Sequence, residues 1–290
     1  MLYSISHWTT YRYNQPVWLQ PQLVRLQPRG DSAQTLRAFS LHLDPAPAGQ
    51  SPYDDLDGNP ITRVWFNTST EQFTIQTLSQ VETHRTNPFN YLLESWALRL
   101  PCDYPSRLSA QLQPYLQPSG VALDPEALKL AQDLLAEVHF DTVAFLAVLT
   151  QHLYQNCEYL TREQGDPWPA GVTWRRRQGS CRDLAVLWIE ACRAVGLAAR
   201  FVSGYEEGVP DQDQWHLHAW AEVYLPGAGW RGYDPTHGLA VSDRHVALVA
   251  SAYPSYTAPV LGQVTPVRPW SETGLAMVSR LETSLTIQGM

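Results

Sequence analysis

From Leu2 to about Thr83, apolar and polar positions alternate with the two-residue period of half-buried strands. "YSISHWTTYRY" is rich in β-branched and aromatic residues, "RAFSLHLDP" alternates up to a proline stop, and "EQFTIQTLSQVET" alternates again. "DLDGNPITRVWF" sets a turn at Asp57-Gly58-Asn59-Pro60 ahead of another strand. The pattern predicts an all-β sandwich or barrel over residues 1–85, without helices and without catalytic groups. Residues 86–123 mix prolines with short apolar pieces and read as a connector.

Over 124–290 the period lengthens to that of helices. "DPEALKLAQDLLAEV" opens with Asp124 as N-cap, Pro125 at the first helical position and Glu126 in the first turn. "DTVAFLAVLTQHLYQNC" gives a second helix capped by Asp141. A Gly-, Pro- and Trp-rich loop, "TREQGDPWPAGVTWRRRQGS", leads to a third helix starting at Cys181. Its apolar residues at Leu184, Leu187, Trp188, Ala191 and Val195 predict one buried face. A strand at "AARFVSGYEE", the polar loop "GVPDQDQ" and a hairpin around "PGAG" follow. The predicted fold is α+β: a β-rich domain (1–85), a connector (86–123) and a core of helices packed on an antiparallel sheet (124–290).

Composition narrows the partners. With 290 residues, 44% hydrophobic and 17% charged, the chain is an ordinary globular protein with room for two cores. A net charge of −8 argues against a nucleic-acid partner. The run Arg175-Arg176-Arg177 reads as a solvated loop or as a positive rim near Cys181. "MLYSISHWTTYRYNQPV" lacks the basic-then-apolar order of a signal peptide, and no apolar run approaches the ~18 residues of a span. A cytoplasmic chain without a membrane partner is expected, with its four cysteines as reduced thiols. Cys181 and Cys192 cannot pair on one helix, where ~16 Å would separate them.

The candidate chemistry begins at Cys181. Gly179 and Ser180 lead into it, and the free N–H groups and dipole of a first helical turn favour a thiolate. Asp183 reads as an N-terminal cap and Cys192 as a packed thiol. In "QWHLHAWAEVYLPGAGWRGYDPTHG", His216, His218, Trp220, Glu222 and Tyr224 share one strand face; Leu217, Ala219, Ala221 and Val223 form the packed one. A hairpin folded about Pro226–Gly227 sets His218 opposite or diagonal to Asp234, ~5–8 Å away, and Pro235 ends the strand. Cysteine, histidine and aspartate supply an activated nucleophile, its base and the group that orients the base. Trp220 and Trp174 are the candidate substrate-binding walls. A metal held by His216, His218 and Asp234 also fits the H-x-H spacing, but leaves Cys181 unexplained.

In "GSCRDLAVLWIEACRAVGLAARFVSGY", "HAWAEVYLPGAGWRGYDPTHG" and "DRHVALV" the chain resembles the bacterial transglutaminase-like family, of papain-like fold. Its first ~85 residues resemble the β-rich domain that often precedes that core. The resemblance implies Cys181 as nucleophile, His218 as general base and acid, and Asp234 as its orienter. It implies attack on an amide of a protein or peptide, a thioester, and transfer to an amine or to water. It also implies an oxyanion held by the Cys181 backbone N–H and an upstream donor. No cofactor is expected, and no calcium-loop pattern of acids is present in the sequence. Where relatives often carry charged residues, this chain has Ser251, Ala252 and Ser255. The competing readings are a cysteine protease or amidase with water as the only acceptor, and a catalytically silent binding or scaffold protein.

Overall fold

The longest alternating stretches become the longest strands in the computed structural model, which describes residues 1–120, 122–162, 165–207, 217–268 and 276–290. β1 (Leu2–Leu19), β2 (Gln22–Val24), β3 (Gln34–Asp44), β4 (Gly49–Asp54), β5 (Pro60–Trp65) and β6 (Ser69–Thr83) form two antiparallel sheets. β6 lies between β1 and β3, with Leu2 opposite Glu82 and Arg12 opposite Gln72; β5 lies between β2 and β4. The two-residue period sends Tyr3, Ile5, Phe73, Ile75 and Val81 into one apolar core with Val24 and Val64 of the second sheet.

Within the expected connector lies a helix, α1 (Ser106–Leu116), anchored by buried Leu112. Pro114 falls in its last turn, so the proline that argued for a connector is compatible with a helical segment before it. α2 (Pro125–Glu137) and α3 (Thr142–Asn156) follow the predicted caps. Asp124 accepts from the Glu126 N–H at 3.0 Å, and Asp141 from that of Ala144 at 2.8 Å. β7 (Glu158–Tyr159) runs parallel to β8 (Gln178–Gly179), and the intervening stretch, read as loop, contains α4 (Ala170–Arg176). α5 (Cys181–Ala194) packs on a sheet ordered β12-β11-β10-β9-β13. Its strands are β9 (Ala199–Glu206), β10 (Leu217–Leu225), β11 (Gly229–Asp234), β12 (Leu239–Ala240) and β13 (His245–Ser251).

α5 is buried nearly all round, not on the single face its apolar spacing predicts. Its polar residues survive burial because each is bonded. Glu190 accepts from the Ser119 N–H at 2.7 Å, and Arg193 donates to the carbonyls of Tyr115, Ala199 and Ala252.

The C-terminal segment leaves the helical core to which the sequence pattern assigns it. β14 (Val260–Leu261) pairs with β2, while β15 (Val264–Pro266) and β16 (Ser279–Gly289) pair with β1. β16 covers the flank of β1 opposite β6 and buries Leu285 and Ile287. An uncovered edge of that length would be a template for foreign strands.

A second edge is closed by side chains. β13 ends the core sheet, and the amides of Gln34 and Asn59 pair with its backbone as a strand would. Gln34 donates to the Ala247 carbonyl (2.9 Å) and accepts its N–H (2.7 Å); Asn59 does the same with Ala250 (2.9 and 2.8 Å). Between those two residues the register shifts, and Leu248 enters the N-terminal apolar core beside Tyr205, Val246 and Val249.

Candidate active site

Cys181 is the first residue of α5 and is 8% exposed. The small residue two positions before it is required by packing: a Cβ on Gly179 would lie 2.8 Å from the Cβ of Asp183. Asp183 is wholly buried, and its carboxylate accepts from the Ser180 N–H and hydroxyl (2.8 Å each), the Trp168 N–H (2.7 Å) and Arg162 (2.6 and 2.7 Å). Burial opposes its ionisation, yet Arg162 and these N–H donors hold its carboxyl below the usual carboxylate range. Asp183 therefore caps the Cys181 turn, as its position predicts, and also ties the preceding loop to it.

The three arginines do not make a free rim. Arg175 pairs with Glu126 at 3.7 Å, Arg176 stacks on Trp168 at 4.6 Å, and Arg177 lies 3.3 Å over Trp174.

β10 and β11 bring histidine and aspartate together. Ala221 pairs with Tyr233, so one step further Asp234 is level with Trp220 and diagonal to His218. The side chains close that diagonal, with His218 Nε2 2.8 Å from Asp234 Oδ2, both residues being buried. With Nε2 on the carboxylate, Nδ1 is the nitrogen left for the Cys181 thiol, which lies near enough to raise the ring's pKa. Burial alone would lower the imidazole's pKa. The charge and hydrogen bond of Asp234, then those of Cys181, outweigh it and hold His218 well above the usual range. Burial likewise opposes the charge of Asp234, but His218, His237 and His245 keep its carboxyl well below its ordinary value. Sulfur, imidazole and carboxylate in series can pass one proton between the first two while the third stays ionised.

More groups meet at this point than the sequence pattern predicts. Asp234 Oδ2 also faces His237 Nδ1 at 2.9 Å and His245 Nε2 at 3.2 Å, while Oδ1 accepts from the Thr236 N–H at 2.9 Å. Glu206 Oε1 lies 3.2 Å from His237 Nδ1, and Oε2 lies 3.6 Å from His218 Nε2. A signal existed in the strand ends. Glu206 closes β9, His245 opens β13, and the two are register partners. Tyr159, 53% exposed, stands on β7 beside the Cys181 lead-in. Partial burial raises its hydroxyl pKa, with the Asp234 and Glu206 carboxylates adding and Arg182 opposing.

The two candidate wall tryptophans sit in different surroundings. Trp220 is 1% exposed, enclosed by Val202, Val241 and Ala250, so it is not a groove wall. It backs the imidazoles of His218 and His245, at 6.2 and 5.1 Å, in space that a Cβ on Gly204 would occupy 2.5 Å from its ring. Trp174 is half-buried against the helical core, with His152 and Arg177 as its ring partners. His216 lies outside the described residues. At the altered edge, Ser251 and Ala252 are buried, and the Ala252 carbonyl is held by Arg193 at 2.7 Å.

All four cysteines are free thiols. Burial pushes Cys192 well above the usual thiol range, and Cys102 and Cys157 each up to about 11. Among the described residues no helix is long and apolar enough to cross a membrane.

Residues 3–82 match the profile of the bacterial transglutaminase-like N-terminal region, and residues 129–235 that of the transglutaminase-like superfamily. An uncharacterized protein of Mycobacterium tuberculosis is 28% identical over 263 residues, covering 85% of this chain and 82% of that protein. A protein-glutamine gamma-glutamyltransferase of Pseudomonas aeruginosa is 31% identical over 127 residues, 40% of this chain and 19% of that protein. A solved structure from Cytophaga hutchinsonii, presented as a candidate cysteine protease, shares the fold with a TM-score of 0.72 at 20% identity, covering 100% of this chain and 91% of that one. Residues 129–235 are thus a transglutaminase-like core, preceded at residues 3–82 by a bacterial transglutaminase-like N-terminal region.

Proposed function

We propose that this protein is a cysteine acyl-transfer enzyme that opens a peptide or side-chain amide through a thioester on Cys181. The observation that supports the reading is the buried His218–Asp234 pair, with the Cys181 thiol at the start of α5 near enough to act on the imidazole. His218 Nδ1 takes the thiol proton, and the sulfur attacks the amide carbonyl carbon. The C–N bond breaks, and the leaving nitrogen departs with the proton returned from His218. An amine or water then gives a proton to the same nitrogen and attacks the thioester, and the sulfur leaves and is reprotonated.

Asp234 stays ionised throughout, fixing the ring and balancing its charge. The Cys181 backbone N–H at the head of α5 suits the developing oxyanion, and the protonated Tyr159 hydroxyl is the candidate second donor. The Pseudomonas relative's name supports a glutamine side-chain amide as the acyl donor.

The test is intact-mass analysis of a glutamine-containing peptide incubated with the full chain, with and without a primary amine. The expected product gains the amine and loses ammonia, or carries an acid in place of the amide. Neither product should form with Cys181→Ala. No product from any donor, with Cys181 labelled by a thiol probe no faster than Cys192, would leave a silent scaffold as the better reading.

A further inference from the structure

The crowding around Asp234 has a consequence beyond proton transfer. One carboxylate oxygen, Asp234 Oδ2, faces three ring nitrogens at 2.8, 2.9 and 3.2 Å, and the Glu206 carboxylate closes on the same nitrogens. A carboxylate oxygen has about two lone-pair sites to offer, so three imidazoles exceed what it can satisfy alone.

We propose that Glu206, His218, Asp234 and His237 form a binding site for a zinc-class divalent ion, and that its occupancy silences His218 as a base. The ligand atoms of these four residues lie within 4.8 Å of one another. In a tetrahedral site, bonds of ~2.0–2.1 Å place neighbouring ligand atoms about 3.3–3.4 Å apart. Asp234 Oδ2 lies 2.8 Å from His218 Nε2 and 2.9 Å from His237 Nδ1, inside that edge length, while Glu206 approaches His237 through Oε1 at 3.2 Å and His218 through Oε2 at 3.6 Å. Binding would turn Glu206 to present one oxygen and widen the two contacts of Asp234 around the ion.

The donors select the metal. Two imidazoles and two carboxylates suit zinc, whereas calcium and magnesium prefer all-oxygen shells. The two carboxylates bring the charge that a divalent ion neutralises. His245 Nε2, 3.2 Å from Asp234 Oδ2, supplies the outer hydrogen bond that orients a carboxylate ligand. The His237 side chain is 41% exposed and gives the ion its way in from solvent.

The consequence rests on the acyl-transfer reading; the binding does not. A ring binds a metal through a bare nitrogen, so the protons that His218 Nε2 and His237 Nδ1 donate to the carboxylates move to the opposite ring nitrogens, or leave to solvent from a ring that already carries two. His218 bound through Nε2 then carries its one proton on Nδ1, which cannot take the proton of Cys181. The ion would act as a reversible brake, removed by a chelator.

Calorimetric titration of Zn²⁺ into the full chain carrying Cys181→Ala excludes the thiol as a ligand. One ion per chain is expected, bound about tenfold or more weakly when Glu206→Gln or His237→Ala is added. Cobalt(II) should give the absorption of a four-coordinate site in the same protein. In the protein with Cys181 intact, Zn²⁺ should slow alkylation of Cys181 by iodoacetamide, read by mass spectrometry, and EDTA should restore the rate. Absence of binding, or binding undiminished by both substitutions, overturns the site. Binding that leaves Cys181 alkylation unchanged overturns the brake. Failure of the enzyme reading is distinguishable, because it appears without metal, as Cys181 alkylated no faster than Cys192.

Discussion

The seam along β13 and the cluster around Asp234 both bury polar groups, and they do so in opposite ways. At the seam, the neutral amides of Gln34 and Asn59 each exchange two hydrogen bonds with a single backbone residue. The amide donors and acceptors match those of the backbone there, and the amides themselves carry no charge. At the site, three imidazoles and a second carboxylate converge on one aspartate oxygen. The first arrangement has one satisfied state and serves to hold two sheets together. The second has several states of similar energy, differing in where protons or a cation sit, which is what a group that exchanges protons requires.

Breaking the charged cluster should have the largest effect, on rate. His218→Ala should lower acyl transfer about a thousandfold or more, because the thiol loses its proton acceptor. Asp234→Asn should cost about a hundredfold to ten-thousandfold, since it orients the ring and stabilises its charge without accepting the proton. Gln34→Ala, at the seam, should leave the rate within a few-fold. Single-turnover acylation with an activated acyl donor measures all three. An equal loss in Gln34→Ala would mean that the two regions are not functionally separate.

The comparison also explains what could be read in advance. The Cys181 turn, the caps at Asp124 and Asp141, and the His218–Asp234 diagonal are set by local spacing, so the sequence alone points to them. The return of β16 to β1, the docking of β13 on Gln34 and Asn59, and the gathering of Glu206 and His245 at the Asp234 cluster depend on contacts between distant segments. The nature of each residue gives no hint of its partner in those cases. Trp220 is the instructive difference. It stands on the predicted strand face, but that face is covered by Val202, Val241 and Ala250, and only the other strands of the sheet and their neighbours determine that.

His7, on β1 against Tyr205 of β9, tests whether a neutral buried contact away from the seam is insensitive to pH. Its ring is buried between Tyr205 (3.0 Å) and Thr9 (3.1 Å), and burial lowers its pKa to about 4 from an ordinary 6.5. A base whose folded pKa is depressed binds fewer protons folded than unfolded. Stability is therefore full above about pH 6.5 and falls as pH drops toward about 4, by about 3 kcal/mol in all. Urea denaturation at pH 4.5 and 7 should show this loss, and His7→Gln should reduce it. An equal pH dependence in the variant would assign the loss to other groups.

A smaller effect is expected from the seam amide itself. Asn59→Ala leaves the Ala250 N–H and carbonyl without their partners and removes the acceptor that Arg29 uses. The expected cost is about 2 kcal/mol, read as a shift in urea midpoint with unchanged slope. The active-site groups do not touch Asn59, so acylation per folded molecule should change less than tenfold. A larger rate loss would show that β13, which carries His245 at its start, transmits strain from seam to site.

The smallest effect separates the two cysteines of α5. Cys192 is fully buried in the apolar interior of the core, where its thiol is held protonated by burial and has no base beside it. Cys192→Ala removes one sulfur from packing and should cost about 1 kcal/mol, at the low end of cavity-forming substitutions. Its acylation rate should match that of the unsubstituted chain. Cys181→Ala should do the reverse, keeping stability within about 0.5 kcal/mol and abolishing the adduct. Thermal unfolding and mass-detected adduct formation on the same two variants place each thiol on one axis or the other. If Cys192→Ala lost the adduct while remaining folded, the chemistry of α5 would not be confined to its first turn. The helix N-terminus would then not be what distinguishes the two thiols.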